Sequence, residues 1–146
     1  MEIILWIFSV IFSFGFAYTM QFSMATLSLG RELSDFDSGT GFQNAITPPW
    51  QTNLAILVYV GCLAEVVAMW WVAGWFSAIG SILVIVIGSL FCKIILPKTT
   101  GDHYKNLIFQ SMLSRYANYV RDGDHMRAQA MKNLLERAGL SPDDMK

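Results

Sequence analysis

The sequence contains two long stretches that are almost free of charged residues, and these stretches constrain the fold more than any other feature. Residues 3–30 include no charged side chain, and residues 54–96 include two, Glu65 and Lys93. Because a transmembrane helix needs about 20 predominantly apolar residues, the first stretch can cross a bilayer once and the second can cross it twice. The pattern therefore predicts three transmembrane helices.

The predicted fold class is an all-α integral membrane protein, with one single span, then a tight helical hairpin, then an amphipathic helix-turn-helix tail. The composition agrees, because 14% of the residues are charged and soluble proteins contain about 25%. Glycine tolerates the backbone of a sharp turn, so Gly74-Trp75 is the predicted joint of the hairpin. Pro97 is predicted to end the last span. The predicted segments are the first span (residues 1–30), a loop (31–53), the transmembrane hairpin (54–97) and the tail (98–146).

The distribution of lysine and arginine predicts how the chain is oriented. Basic residues follow the first span, close the third span and recur in the tail, whereas Met1-Glu2 and Gly74-Trp75 contain none. By the positive-inside rule, the N-terminus and the hairpin joint are predicted to be outside, and the loop 31–53 and the tail to be cytoplasmic. The predicted location is the bacterial inner membrane.

The tail is predicted to contain two helices, from His103 to about Arg121 and from His125 to Ala138, with Asp102 and Asp124 as N-caps. Apolar residues recur at spacings of three and four and predict a partner-binding face: Tyr104, Ile108, Met112, Tyr116, Met131, Leu134 and Leu135. From Thr99 onward there are seven basic and six acidic residues. This balance argues against a polybasic lipid clamp and against nucleic-acid binding. A protein partner is the preferred hypothesis, and packing against the chain's own loop is the alternative.

Glu65 is the one acidic residue within the predicted spans. A carboxylate in hydrocarbon is costly, so its side chain should face protein or water. The candidate intramembrane residues are Glu65, Gly61, Ser13, Gln21 and Ser81, with Ser9 and Ala17 as further neighbours on the first span. Glu65 could be a neutral group that hydrogen-bonds across helices, which the sequence favours, or a group that carries protons or binds a cation.

Three functions are compatible with this pattern. The first is an accessory or assembly subunit of a larger membrane complex, and the second is an oligomeric channel or ion- or proton-coupled transporter component that uses Glu65. The third is a holin-like pore former, because this chain is similar to some three-span phage holins in topology alone. We expect no enzyme activity and no cofactor or metal, since no nucleophile has a base beside it and the histidines and cysteines lack metal-ligand spacing. The expected partners are the lipid bilayer and either other membrane subunits or further copies of the chain.

Overall fold

The computed structural model describes residues 2–33, 46–96, 98 and 102–140 of the 146-residue chain. This part of the chain is helical and contains no strand. The five helices are α1 (Glu2–Leu33), α2 (Pro49–Ala73), α3 (Trp75–Ile95), α4 (Asp102–Arg121) and α5 (His125–Arg137). The predicted all-α class is confirmed for the described residues.

Helices α1, α2 and α3 are each long and apolar enough to cross a membrane, as predicted. Their ends differ from the predicted bounds. Helix α2 begins at Pro49 and not at Leu54, because proline at the first helical position loses no helix hydrogen bond and has a suitable φ. Helix α1 continues to Leu33, so both ends of the predicted loop 31–53 are helical. Residues 34–45 of that loop, Pro97 and residues 141–146 lie outside the described residues.

A single residue, Gly74, joins α2 to α3. Its φ of 87° lies in the region that glycine adopts and other residues avoid. The Gly74 amide donates to the carbonyl of Trp70 (3.0 Å), and the Ala78 amide donates to the carbonyl of Gly74 (3.2 Å). The joint is tighter than the predicted pair Gly74-Trp75, since Trp75 already belongs to α3.

The chain divides into two compact units. The first unit comprises Met1–Ser23 and Pro49–Thr99, and the second comprises Met24–Pro48 and Thr100–Lys146. The first unit therefore contains most of α1 with α2 and α3. The second unit contains the last ten residues of α1 (24–33) together with α4 and α5.

The first unit buries polar as well as apolar side chains and exposes many large apolar ones. Its buried polar residues are Ser9, Ser13, Thr19, Gln21, Gln51, Glu65, Ser81 and Ser89. Large apolar side chains face outward along all three helices, including Trp71, which is 88% exposed. Glycines allow the helices to approach closely: a Cβ on Gly61 would lie 2.5 Å from Cε1 of Phe12, and one on Gly80 would lie 3.0 Å from Cη2 of Trp6. Such packing through small residues is typical of helices in lipid.

The interior of the second unit is mostly apolar and includes the buried polar side chain of Thr26. Its buried apolar side chains are Ala25, Leu29, Leu33, Ile46, Tyr104, Ile108, Met112, Ala128, Met131 and Leu135. They come from α1, α4 and α5 and from Ile46, so the apolar face of the tail is covered by earlier parts of the same chain. Asp124 caps α5 by accepting a hydrogen bond from the amide of Arg127 (3.1 Å).

Glycines end both helices of the tail. After α5, Gly139 has a φ of 75°, its amide donates to Glu136 O (3.0 Å), and the Leu140 amide donates to Leu135 O (2.9 Å). These two bonds form a Schellman motif, which satisfies carbonyls at the helix end. Gly123 ends α4 in the same way.

Candidate functional site

Glu65 is the buried carboxylate around which the candidate site is built. It lies on α2, nine residues before Gly74, which corresponds to roughly 13 Å along the helix axis. Its side chain is 5% exposed although the neighbouring Leu63 and Val67 are 68% and 55% exposed. The glutamate therefore points into the first unit while adjacent apolar side chains point outward.

Two serines from different helices bind the two carboxyl oxygens of Glu65. Oγ of Ser9, on α1, lies 2.6 Å from Oε1, and Oγ of Ser81, on α3, lies 3.2 Å from Oε2. Both hydroxyls donate to the carboxylate. Glu65 thus connects α1, α2 and α3 at one level of the unit, as an interhelical polar contact does in a membrane protein.

Each serine hydroxyl also has a second acceptor within reach. Oγ of Ser9 lies 3.3 Å from the carbonyl of Leu5, and Oγ of Ser81 lies 3.2 Å from the carbonyl of Ala78. A hydroxyl has one proton to donate and can accept as well. If Glu65 carries a proton, it can donate that proton to one serine, and the serine can turn its own proton to the backbone. The cluster can therefore satisfy its hydrogen bonds in both protonation states.

Ser13 has partners other than Glu65. Its hydroxyl lies 2.9 Å from the carbonyl of Ser9 and 3.1 Å from the carbonyl of Val84 on α3. A Cβ on Gly88 would lie 2.6 Å from Ser13 Oγ, so the two helices approach closely here. Ser13 links α1 to α3 about one turn from the Glu65 cluster.

The two remaining candidate residues, Gly61 and Gln21, do not belong to the hydrogen-bonded cluster around Glu65. Gly61 packs beneath the Phe12 ring and makes room for α1. Gln21 is buried on α1, but it lies twelve residues after Ser9, which is about 18 Å along the helix. It cannot share the Glu65 cluster. The structure brings together Glu65, Ser81 and Ser9.

Gln51 is a buried polar residue that the sequence analysis placed in the loop. It is 2% exposed at the start of α2, and neither its amide nitrogen nor its amide oxygen has a hydrogen-bond partner among the described residues. Pro49, two residues earlier, was the available signal, because proline is common at the first position of a helix. Recognising Pro49 as a helix start would have placed Gln51 on α2.

The surroundings of Glu65 determine which chemistry is available there. Lys93, the nearest basic residue along α3, lies twelve residues after Ser81, or about 18 Å along the axis, and its side chain is exposed. Among the described residues, no group of three or more His, Cys, Asp or Glu side chains lies together. The cluster of one carboxyl and two hydroxyl groups can hold three helices together through hydrogen bonds.

The predicted partner-binding face of the tail is largely internal to the second unit. Of its seven residues, Tyr104, Ile108, Met112, Met131 and Leu135 are buried, while Tyr116 and Leu134 are partly exposed. A partner that bound the buried residues would first have to displace their present contacts. Binding of another protein to this face stays a prediction, as does its packing against the loop 31–53, of which residues 34–45 lie outside the described residues.

Known proteins give no further guide to this site. No family model matches the chain, and neither the curated proteins nor the solved structures contain a match.

Proposed function

We propose that the protein is a small integral membrane protein that serves as an accessory or assembly subunit of a larger membrane complex. The observation that carries this proposal is the hydrogen bonding of the Glu65 carboxyl group. Both of its carboxyl oxygens accept hydrogen bonds from serines of the same chain, which is the arrangement of an interhelical clamp. A pathway for ions would need further polar groups that are free to exchange partners.

Exposed apolar side chains in the tail also support a subunit role. Val120 and Met126 lie on either side of the turn between α4 and α5 and are 52% and 85% exposed. A large exposed methionine is common at adaptable protein contacts. We propose that a partner contacts this turn, since most of the originally predicted face is buried.

The proposed location is the bacterial inner membrane, with the N-terminus outside and α4 and α5 in the cytoplasm. The support is the distribution of basic residues, because Arg31, Lys98 and the basic residues of α4 and α5 all fall on the side predicted to be cytoplasmic.

A proton-carrying role for Glu65 is the second candidate. The observation that favours it is the spare acceptor of each serine, Leu5 O for Ser9 and Ala78 O for Ser81. Because the cluster stays satisfied with or without a proton on Glu65, a change of protonation leaves no buried group without a partner. In this case several copies of the chain would form a channel or transporter. The predicted three-span topology of the chain is the support for the holin-like hypothesis.

Two substitutions of Glu65 separate these candidates. Glu65→Gln keeps a donor and an acceptor of similar shape, so under the subunit proposal the variant assembles normally. Glu65→Leu removes the hydrogen bonds and should destabilise the first unit by about 0.6–2 kcal/mol. Val67→Leu, at an exposed position on the same helix, is the matched control and should have no effect.

Assembly is measured by native electrophoresis after purification in mild detergent, and proton flux is measured with a pH-sensitive dye in reconstituted vesicles. The proposal expects a discrete complex with other proteins and no flux from the wild type. Proton flux that is present in the wild type and lost in a normally assembled Glu65→Gln variant would contradict it and establish the second candidate.

A further inference from the structure

Four exposed aromatic side chains surround the joint between α2 and α3. Trp70 and Trp71 lie in the last turn of α2 and are 63% and 88% exposed. Trp75 and Phe76 begin α3, are 57% and 73% exposed, and have ring centroids 4.1 Å apart. All four residues lie within about 6 Å of Gly74 along the helix axes. We call these four residues the aromatic tip.

The aromatic tip presents an apolar surface that is unfavourable in bulk water. Residues 66–92 contain no charged side chain, so neither α2 nor α3 places a charge beside the rings. The one-residue joint also provides no polar loop that could shield them. Exposed apolar surface costs about 25 cal/mol per Å² in water, and large apolar patches on a protein surface mark contacts with proteins or membranes. The tip is therefore expected to contact something other than water.

The backbone at the joint has the opposite requirement. The first amides of a helix have no carbonyl of the same helix to donate to, and Gly74, at the N-cap of α3, has no side chain that could accept from them. In hydrocarbon there is no water to satisfy such amides. A tryptophan side chain also has an indole N–H, which needs an acceptor. The tip is therefore disfavoured within the hydrocarbon core as well.

Helix α1 provides an independent measure of the level of the tip. Trp6 packs against Gly80 on α3, and farther along both helices the Ser13 hydroxyl donates to the carbonyl of Val84 (3.1 Å). The two helices therefore run in the same direction, and four residues before Trp6 the chain reaches Glu2, at about the level where α3 begins. Glu2 is exposed, and a carboxylate is costly in hydrocarbon. A charged side chain at this level requires access to water.

The distribution of the rings favours a surrounding medium over a single partner protein. Trp70 and Trp71 are consecutive, so their side chains leave α2 about 100° apart. Trp75 and Phe76 belong to the other helix of the hairpin. A single partner helix would cover one face of the hairpin, whereas lipid surrounds all of its exposed faces.

We infer that the aromatic tip lies in the headgroup region of one leaflet of a lipid bilayer, at the boundary between hydrocarbon and water. Tryptophan is enriched at this boundary because its ring is apolar and its N–H is polar. The inference rests on the proposed membrane location and extends it to the depth of the chain. Glu65 then lies about 13 Å below the tip, near the middle of a hydrocarbon core about 30 Å thick.

The test compares two spin labels at different depths on α2 and leaves the aromatic tip intact. The full chain carries Cys62→Ser and Cys92→Ser, which remove its two cysteines. One variant then has Val72→Cys and the other Leu63→Cys, at positions that are 45% and 68% exposed. Each labelled chain is reconstituted in phosphatidylcholine vesicles. Electron paramagnetic resonance measures how far each label is reached by oxygen, which concentrates in hydrocarbon, and by a water-soluble nickel complex.

The label at Val72 should be reached by both oxygen and the nickel complex, as expected in the headgroup region. The label at Leu63 should be reached by oxygen and scarcely by nickel, at a depth about 13 Å greater, since the two positions are nine residues apart on α2. The cysteine-free chain should take up no label, and circular dichroism should show the wild-type helix content in both labelled variants.

Three results for the Val72 label would overturn the inference while the Leu63 label remains in hydrocarbon. Contact with nickel at the level of a label free in water would place the tip outside the bilayer. Contact with oxygen alone would place it inside the hydrocarbon core. Protection from both reagents would make the tip a protein-docking surface. Strong contact of nickel with the Leu63 label would instead contradict the membrane location itself, and the inference would fail with it.

Discussion

Both units bury apolar side chains, but the first unit also buries Glu65 and several hydroxyl and amide side chains and exposes many leucine, isoleucine and tryptophan side chains. Among the described residues of the second unit, Thr26 is the buried polar side chain, and most charged side chains are exposed. Both units are helical, so the difference is not one of secondary structure. Apolar side chains gain no free energy when they move from lipid into a protein interior. Helices in lipid therefore associate through small residues and polar contacts. In water, burial of apolar surface drives folding. The exposed apolar surface of the first unit is what helices long and apolar enough to cross a membrane would present to lipid.

The contrast predicts that a charge inside the second unit has the largest effect. Ile108 is fully buried, so Ile108→Asp would place a carboxylate without a partner in an apolar interior and should cost about 3–5 kcal/mol. All five tryptophans belong to the first unit. Far-UV circular dichroism in detergent should therefore show loss of helix while tryptophan fluorescence stays unchanged.

Met126→Asp is the control for that experiment, because Met126 is 85% exposed and the change should stay within about 0.5 kcal/mol. A change in tryptophan fluorescence that accompanies Ile108→Asp would break the comparison, since it would mean that the two units unfold as one.

An intermediate effect is expected for a change in helix spacing within the first unit. Gly61→Ala places a Cβ 2.5 Å from Cε1 of Phe12, and such overpacking costs about 1–3 kcal/mol. Unfolding by SDS, followed by tryptophan fluorescence, measures the loss. The double variant with Phe12→Leu should recover part of it.

Ala64→Val provides the matched control, because Ala64 is exposed on the same helix and an added side chain meets lipid there. If Ala64→Val were as destabilising as Gly61→Ala, the exposed face of α2 would be packed against protein, and the assignment of that face to lipid would be wrong.

The smallest effect is expected for an ion pair at the surface of the second unit. The side chains of Lys105 and Glu32 are 29% and 55% exposed, and exposed pairs contribute about 0.2–1 kcal/mol. Glu32→Gln should lower the free energy of unfolding by that amount at low salt and by less in about 1 M salt, where the Debye length is about 3 Å. Thermal unfolding followed by circular dichroism measures both values.

Glu136→Gln, which removes the Lys132–Glu136 pair within α5, should give a loss of similar size. A loss above about 2 kcal/mol for Glu32→Gln that persists at high salt would contradict the view that water surrounds this pair.

The three apolar helices and the hairpin joint could be predicted because hydrocarbon imposes a minimum length on each span and glycine marks the turn. That joint also fixes the register of α2 against α3, which is why Ser81 could be expected near Glu65. The register of α1 has no such marker. Ser9 and Ser13 both lie on plausible faces of α1, and only the packing of Trp6 and Phe12 against glycines decides which serine meets the carboxylate.

The periodicity of the sequence could not predict which residues bury the apolar face of the tail. Spacing of apolar residues shows that a face must be buried, but it does not show by what. The buried residues of the second unit include Ala25 and Leu29, which the sequence predicted to lie in the first span, and Leu33, which it predicted to lie in the loop 31–53. The structure places all three residues in the second unit, which begins at Met24 within α1.

The one-residue joint at Gly74 has a consequence for biogenesis. A connection this short leaves no hydrophilic segment between α2 and α3, so in a membrane the two helices would enter the bilayer as a pair. Within that pair Glu65 already faces Ser81. The acid would then enter lipid with one hydrogen-bond partner in place, which would lower the free-energy cost that a lone glutamate imposes on membrane entry of α2.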